Sequence, residues 1–375
     1  MTALENEKKR VVIKVGSSSL TSRHGEISRR KLEKLADEIA MLKDEGHEIV
    51  FVSSGAVAAG YRKLGCLNRP TSLPEKQAAA SIGQGLLIEA YSEIFLSHGY
   101  VASQILITRN DFSDEIRYHN VRNTLNVLLE RGIIPIVNEN DTVTVDRLKF
   151  GDNDTLSAKV AGLIEADQLI ILSDIDGLYD SDPRKNKAAK LLEKVDVITP
   201  EIEQGAGGSG SVVGTGGMKS KIDAVKIAMA SGITTFLGKA SIANILVDAV
   251  NGIARGTYFD ITNETKNLNQ KKQWIAFHSG PEGELVINQH VRKSIADHNS
   301  SIYSSDIIEV KGQFPKGAVI QIIDVAGERI GLGVVNYSHE DLEKVRELDK
   351  EVEDLVVVDC DDFVCELELS LPVGI

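Results

Sequence analysis

The feature that most constrains what this chain can fold into is a regular alternation of short β-branched runs with longer segments of helical character. The runs are VVIKV at 11, EIVFVS at 48, VASQILI at 101, IIPIVN at 133, QLIILSD at 168 and ITTFLG at 233. Strands that are apolar at nearly every position are those covered on both faces, so the alternation predicts an α/β fold with a mostly parallel sheet between helices. One intervening segment carries the helical period clearly. Leu32, Leu35, Ile39 and Leu42 fall on one face, with Ser28 placed to cap the start and Gly46 to stop the end.

The pattern changes near residue 261. TNETKNLNQKK is polar, has no apolar period and reads as a linker. From Trp274 onward the segments WIAF, GELVI, IIEV, AVIQII and IGLGVV are short and strand-like, which predicts a compact β-rich unit. Helix in that unit is expected only at Val291 to His298 and in the charged run near Asp341, and the residues after Lys350 read as an acidic tail. Because 375 residues exceed the usual size of one hydrophobic core, the expected organisation is a first domain over 1–260, a linker over 261–273 and a second domain over 274–375.

A net charge of −13 without a long basic block disfavours nonspecific adhesion to nucleic acid or anionic lipid. The first ten residues are charged, and no apolar run approaches membrane-spanning length, so a soluble, cytoplasmic protein with no membrane partner is expected. Cys66, Cys360 and Cys365 have no metal-ligand spacing and suit a reducing compartment.

Ligands of open α/β sheets gather where strands end and helices begin, because unpaired backbone amides face the crevice there. After VVIKV, Gly16-Ser17-Ser18-Ser19 lets the backbone approach an anion beside Lys14, although a solvated strand lysine before a turn fits the same residues. After EIVFV, Ser53 and Ser54 either present hydroxyl and amides to a ligand or cap a helix. Asn138-Glu139-Asn140-Asp141 and Gly151-Asp152-Asn153-Asp154 form two acid–amide clusters that could hold an ammonium group or a metal. The strongest local feature is the glycine-rich loop GAGGSGSVVGTGG at 205–217, which leads into the helix MKSKIDAVKIAMASG. Lys219 and Lys221 fall in that helix's first turn, where the dipole disfavours cations and an anionic ligand reverses the penalty. Two nucleotide motifs are excluded: the GxGxxG spacing inside this loop lacks the flanking strand and helix, and no Walker A sequence occurs. No GxSxG nucleophile motif is present either.

Taken in order, VVIKVGSSSL, FVSSGAVAAG, IVNENDTV, FGDNDTLSA, LSDIDGLYDSDPR and GTGGMKSK resemble the amino-acid kinase family. The resemblance covers roughly the first 260 residues and implies a three-layer αβα sandwich around a mainly parallel eight-stranded sheet. It implies ATP-dependent phosphorylation of the γ-carboxylate of L-glutamate, the first step of proline biosynthesis. In that reading Lys14 and Lys221 stabilise the phosphoryl group in flight and Asp154 holds the lysines. Ser54, Asp141 and Asn153 bind glutamate. Lys14, Ser173 and Asp174, with Thr215, Gly216, Gly217, Met218, Lys219, Ser220 and Lys221, contact ATP, while Mg²⁺ bridges its phosphates without a protein cage. Proline as feedback inhibitor, a homo-oligomer (dimer or tetramer) and coupling to glutamyl phosphate reductase are implied too. The segments beyond the linker resemble the PUA domain, a small β-rich barrel, though the acidic ending differs from the basic or histidine-containing ending expected of that domain and nucleic acid is not expected to bind. The alternatives are a sibling kinase acting on aspartate, acetylglutamate or a nucleoside monophosphate, or an RNA-binding protein that reads through the PUA-like domain.

Overall fold

A computed structural model describes residues 7–22, 26–144, 153–206, 217–261, 268–289, 300–347 and 354–365. The chain divides into two compact units, Met1–Asp111 with Glu115–Glu264, and Phe112–Asp114 with Thr265–Ile375.

In the first unit the chain runs β1 (Arg10–Val15), α1 (Ser17–Leu20), α2 (Arg29–Asp44), β2 (Glu48–Ser53), α3 (Ala56–Gly60), α4 (Leu73–Ser97), β3 (Ala102–Ile107), α5 (Arg109–Ser113), α6 (Glu115–Glu130) and β4 (Ile134–Glu139). It continues through α7 (Asn153–Leu163), β5 (Gln168–Ser173), β6 (Lys194–Val195), α8 (Pro200–Ala206), α9 (Met218–Ala230), β7 (Thr234–Lys239), α10 (Ile245–Val250) and β8 (Gly256–Phe259). The eight strands lie in the order β3-β4-β2-β1-β5-β7-β8-β6. Among the described residues every pairing is parallel except β7 with β8. Six of these strands are the runs legible in the sequence. β6 and β8 were not foreseen: with two and four residues they are too short to carry a period.

The order places a topological switch at the middle of the sheet. The chain starts on β1, builds β2, β4 and β3 to one side, and crosses through α7 to build β5 and β7 on the other. At such a point the loops at the strand ends diverge and open a crevice. On β1, Val11, Ile13 and Val15 join a core with Leu32, Leu35, Ile39 and Leu42 of α2. By strand alternation Lys14 projects to the opposite face, against which α7 packs.

Two glycines set how closely the helices beside this crevice approach. A Cβ on Gly83 of α4 would meet the Ala56 carbonyl oxygen of α3 at 1.8 Å, and one on Gly60 of α3 would meet the Ala79 carbonyl oxygen at 1.9 Å. Neither backbone can give way cheaply. Gly83→Ala is therefore expected to lower the unfolding free energy by about 1–3 kcal/mol or more, seen as a fall of several degrees in the thermal midpoint. An unchanged midpoint would mean that α3 and α4 separate without cost.

The second unit holds α11 (Gln270–Gln273), a π-helical turn at Trp274–His278, a helix at His339–Glu347 and six strands. These are β9 (Glu284–Ile287), β10 (Ile302–Tyr303), β11 (Ile307–Lys311), β12 (Val319–Asp324), β13 (Arg329–Val335) and β14 (Val356–Cys365), in the order β10-β14-β13-β12-β9-β11. Their buried face gathers Leu285, Ile320, Ile322, Val357 and Val358 into a core. Two expectations are corrected here. WIAF is helical and not a strand: Asn269 caps the segment by accepting a hydrogen bond from the Lys272 amide, and the helix runs on into Trp274. The stretch read as part of an acidic tail is β14, whose acidic centre coincides with a shift in its register against β13 while Val357, Val358 and Val364 stay buried. The helix foreseen at Val291 to His298 lies outside the described residues. Among the described residues no helix is long and apolar enough to cross a membrane.

Candidate active site

Lys14, Asp154 and Lys221 come together from β1, the first turn of α7 and the first turn of α9. Lys14 Nζ pairs with Asp154 Oδ1, and Lys221 Nζ lies 3.0 Å from Asp154 Oδ2. All three are buried, with 5% exposure for each lysine and none for the aspartate. The Ser220 hydroxyl donates to Asp154 Oδ2 at 3.2 Å and to the Gly217 carbonyl at 2.9 Å. One carboxylate thus organises two ammonium groups that would otherwise repel each other across a region screened from water.

Burial alone would raise the Asp154 pKa. The two ammonium groups outweigh it and hold the carboxyl down at about 2, below the ordinary value of 3.8. The group is therefore a fixed anion near neutral pH and supplies neither a proton nor a general base.

A second cluster adjoins the first through the neighbouring residue Asn153. Its Nδ2, with two hydrogens shared among three acceptors, lies 2.6 Å from the Ser53 carbonyl, 2.8 Å from Ser54 Oγ and 2.9 Å from Asn138 Oδ1. Asn138, at the end of β4, donates from its own Nδ2 to Gln84 Oε1 at 2.8 Å. Ser54 is carried to this point by the end of β2, where the chain turns into α3 through Gly55 at φ 103°, a left-handed conformation that favours glycine. Beneath it, Ser53 Oγ and the Tyr91 hydroxyl lie 2.9 Å apart in the core.

Ser173 and Asp174 stand at the end of β5, with the Ser173 hydroxyl donating to Asp174 Oδ1 at 3.1 Å. β5 is the neighbour of β1, and the Gly16 amide donates to the Leu172 carbonyl at 3.2 Å, so the glycine–serine turn after β1 lies beside them. Met218, Lys219, Ser220 and Lys221 open α9 after Gly217; Lys219 is exposed and Lys221 is buried. Thr215 and Gly216, with most of the glycine-rich loop, lie outside the described residues. Asp141 follows the end of β4, where its amide donates to the Glu139 carbonyl at 2.9 Å. Sequence reasoning singled out Asn138 in its acid–amide cluster without giving it a role, and passed over Gln84. The one local signal for Gln84 was a polar residue set between two glycines inside a helix.

Such an arrangement can hold a strongly anionic ligand against two ammonium groups and a polar ligand against the amides and hydroxyls gathered by the adjacent residue Asn153.

The Amino acid kinase family model matches residues 9–239, and the PUA domain model matches residues 283–356. Glutamate 5-kinase 2 of Bacillus licheniformis is 64% identical over 372 residues, covering 98% of this chain and 100% of that protein. Glutamate 5-kinase 2 of Bacillus subtilis is 63% identical over 366 residues, covering 98% of each chain. Among solved structures, carbamate kinase from Giardia lamblia bound to AMP-PNP superposes with a TM-score of 0.50 at 18% identity, covering 68% of this chain and 100% of that one. At that identity the likeness speaks for the fold alone. A match spanning the switch-point sheet and both lysine-bearing elements, with relatives aligned almost from end to end, settles descent: the chain belongs to the amino acid kinase family.

Proposed function

We propose that the chain transfers the γ-phosphoryl group of ATP to the side-chain carboxylate of L-glutamate, giving glutamyl 5-phosphate and ADP as the first step of proline synthesis. The observation that carries this reading is the convergence of Lys14 and Lys221 on Asp154 at the switch point of the sheet. The substrate follows from relatives 63–64% identical over nearly the full chain, each named a glutamate 5-kinase.

A side-chain carboxylate with an ordinary pKa of about 4.3 is already an anion at neutral pH, so the nucleophile needs no base. The barrier lies in bringing it against a polyanion. In the transfer a carboxylate oxygen forms a bond to the γ-phosphorus as the bond to the β,γ-bridging oxygen breaks, and ADP leaves with the electron pair. Lys14 and Lys221 act on the charge that spreads over the γ-phosphoryl oxygens between these two events. Asp154 is the counter-anion that lets both ammonium groups occupy one buried place.

In this reading Asn153, Ser54 and Asp141 hold the amino acid, while Ser173, Asp174 and the residues from Thr215 to Lys221 hold the nucleotide. The donor set suits Mg²⁺ carried on the nucleotide. Asp154, the most buried carboxylate near the lysines, is taken up by ammonium groups and a hydroxyl, so the ion's oxygen ligands would come from the β- and γ-phosphates and water. There it would neutralise charge on the phosphates. Proline would compete in the amino-acid pocket as a feedback inhibitor. The acyl phosphate product is a reactive mixed anhydride, which supports prompt hand-over to a reductase, and a homo-oligomer in the cytoplasm completes the reading.

The test is an acyl-hydroxamate assay with ATP and Mg²⁺ across glutamate, aspartate and acetylglutamate, with ADP release measured for nucleoside monophosphates. Hydroxamate is expected with glutamate, and activity on aspartate without glutamate would overturn the assignment.

A further inference from the structure

We propose that Gln84, acting through Asn138, is a positioning residue that fixes which way the amino-acid pocket presents its amide dipoles; this rests on the glutamate reading above. Three side-chain amides stand in series, Gln84 of α4, Asn138 at the end of β4 and Asn153 at the start of α7. An amide can be turned end for end, so its orientation has to be imposed by partners that only donate or only accept.

Two backbone groups impose it here. The Ser53 carbonyl only accepts, so Asn153 must turn its Nδ2 to it. The Glu139 N–H only donates, so Asn138 must turn its Oδ1 to it, at 2.9 Å. The Asn138 amino group then faces Gln84, whose Oε1 accepts at 2.8 Å. Because Asn138 is only 2% exposed, removing that acceptor leaves a buried donor with no water to turn to. The side chain would relieve the cost by rotating away, and Asn153 would lose the acceptor that Asn138 gives it.

What Asn153 can offer a ligand follows from this geometry. Its amino group is engaged by three acceptors, which leaves the carbonyl oxygen as the group it can present. A carbonyl oxygen matches an α-ammonium and not a carboxylate. The relay therefore works in binding an amino acid, and not in stabilising the phosphoryl group near Lys14 and Lys221. Gln84 itself is half-buried between Gly83 and Gly85, and the helix crossing at Gly83 depends on backbone contacts that a change at position 84 leaves in place.

The experiment is a double-mutant cycle on the full chain with Gln84→Met and Asn138→Ala, with Gln84→Ala beside them as a second truncation. Glutamate KM, ATP KM and kcat are measured for each, and thermal unfolding is followed to show that the fold is kept. Gln84→Met and Gln84→Ala are expected to raise glutamate KM about tenfold, the scale of one misplaced hydrogen bond to a charged group, with kcat and ATP KM within about twofold. The double variant should show no more than the Asn138→Ala effect. KM effects that add across the cycle, or a fall in kcat matching the rise in KM, would overturn the relay. An active parent beside position-84 variants of unchanged KM would overturn the relay alone, whereas a parent without glutamate activity would overturn the function on which it rests.

Discussion

Asp154→Asn is expected to bring turnover close to the detection limit and to cost about 3–5 kcal/mol of folding stability at neutral pH. Both lysines are buried on one carboxylate, and an amide of the same shape has no charge to offer and turns a donor toward one ammonium group. Two buried cations then lose the carboxylate they share. The pH dependence provides a second readout. Because the folded carboxyl is held at about 2, below its ordinary 3.8, the stability it contributes is fully present above 3.8 and is lost as pH falls toward 2. That contribution is roughly 2 kcal/mol. Denaturant unfolding of parent and variant at pH 7 and at pH 2–4 should show a gap that narrows in acid. A variant as stable as its parent at pH 7, or one that still turns over, would contradict this account of Asp154.

Lys221→Met is expected to lower kcat by about two to three orders of magnitude, on the scale seen when one preorganised donor to developing charge is removed. Glutamate KM should stay within about threefold. The split follows from where the ammonium is proposed to act: Lys221 pairs with Asp154 and not with the amide cluster of Asn153, so in the proposed transfer it would meet the phosphoryl group, whose charge is redistributed in the transition state. Asp154 keeps Lys14 in this variant, so the fold should survive and the kinetic loss can be read directly. Unchanged turnover would remove Lys221 from the chemistry. A large rise in glutamate KM at constant kcat would instead make it a substrate-binding residue.

Much of the fold was legible because two-sided burial leaves a plain mark on sequence. VVIKV, EIVFVS and QLIILSD each hold four apolar residues, consecutive in the last two, because helices cover the sheet on both sides, and each is a strand within a residue of its reading. WIAF failed for the complementary reason: four apolar residues have no period, and the Asn269 cap, inside the polar run read as a linker, starts a helix that runs on into them. β14 failed because its aspartates sit where its pairing is irregular, which hides the alternation that a regular strand would show.

What the sequence determined by itself was local: which segments could be strands, which turns could admit an anion, and where a lysine stood at odds with its helix dipole. The roles proposed for Lys14, Asp154 and Lys221 came from motif order, since no spacing rule links a strand lysine to a helix carboxylate. Only the tertiary structure brought that carboxylate within 3.0 Å of an ammonium group 67 residues away, and joined Gln84 to Asn138 across 54 residues. Hydrophobic period is written along the chain, whereas charge pairing and amide polarity depend on which strand ends the sheet order sets side by side.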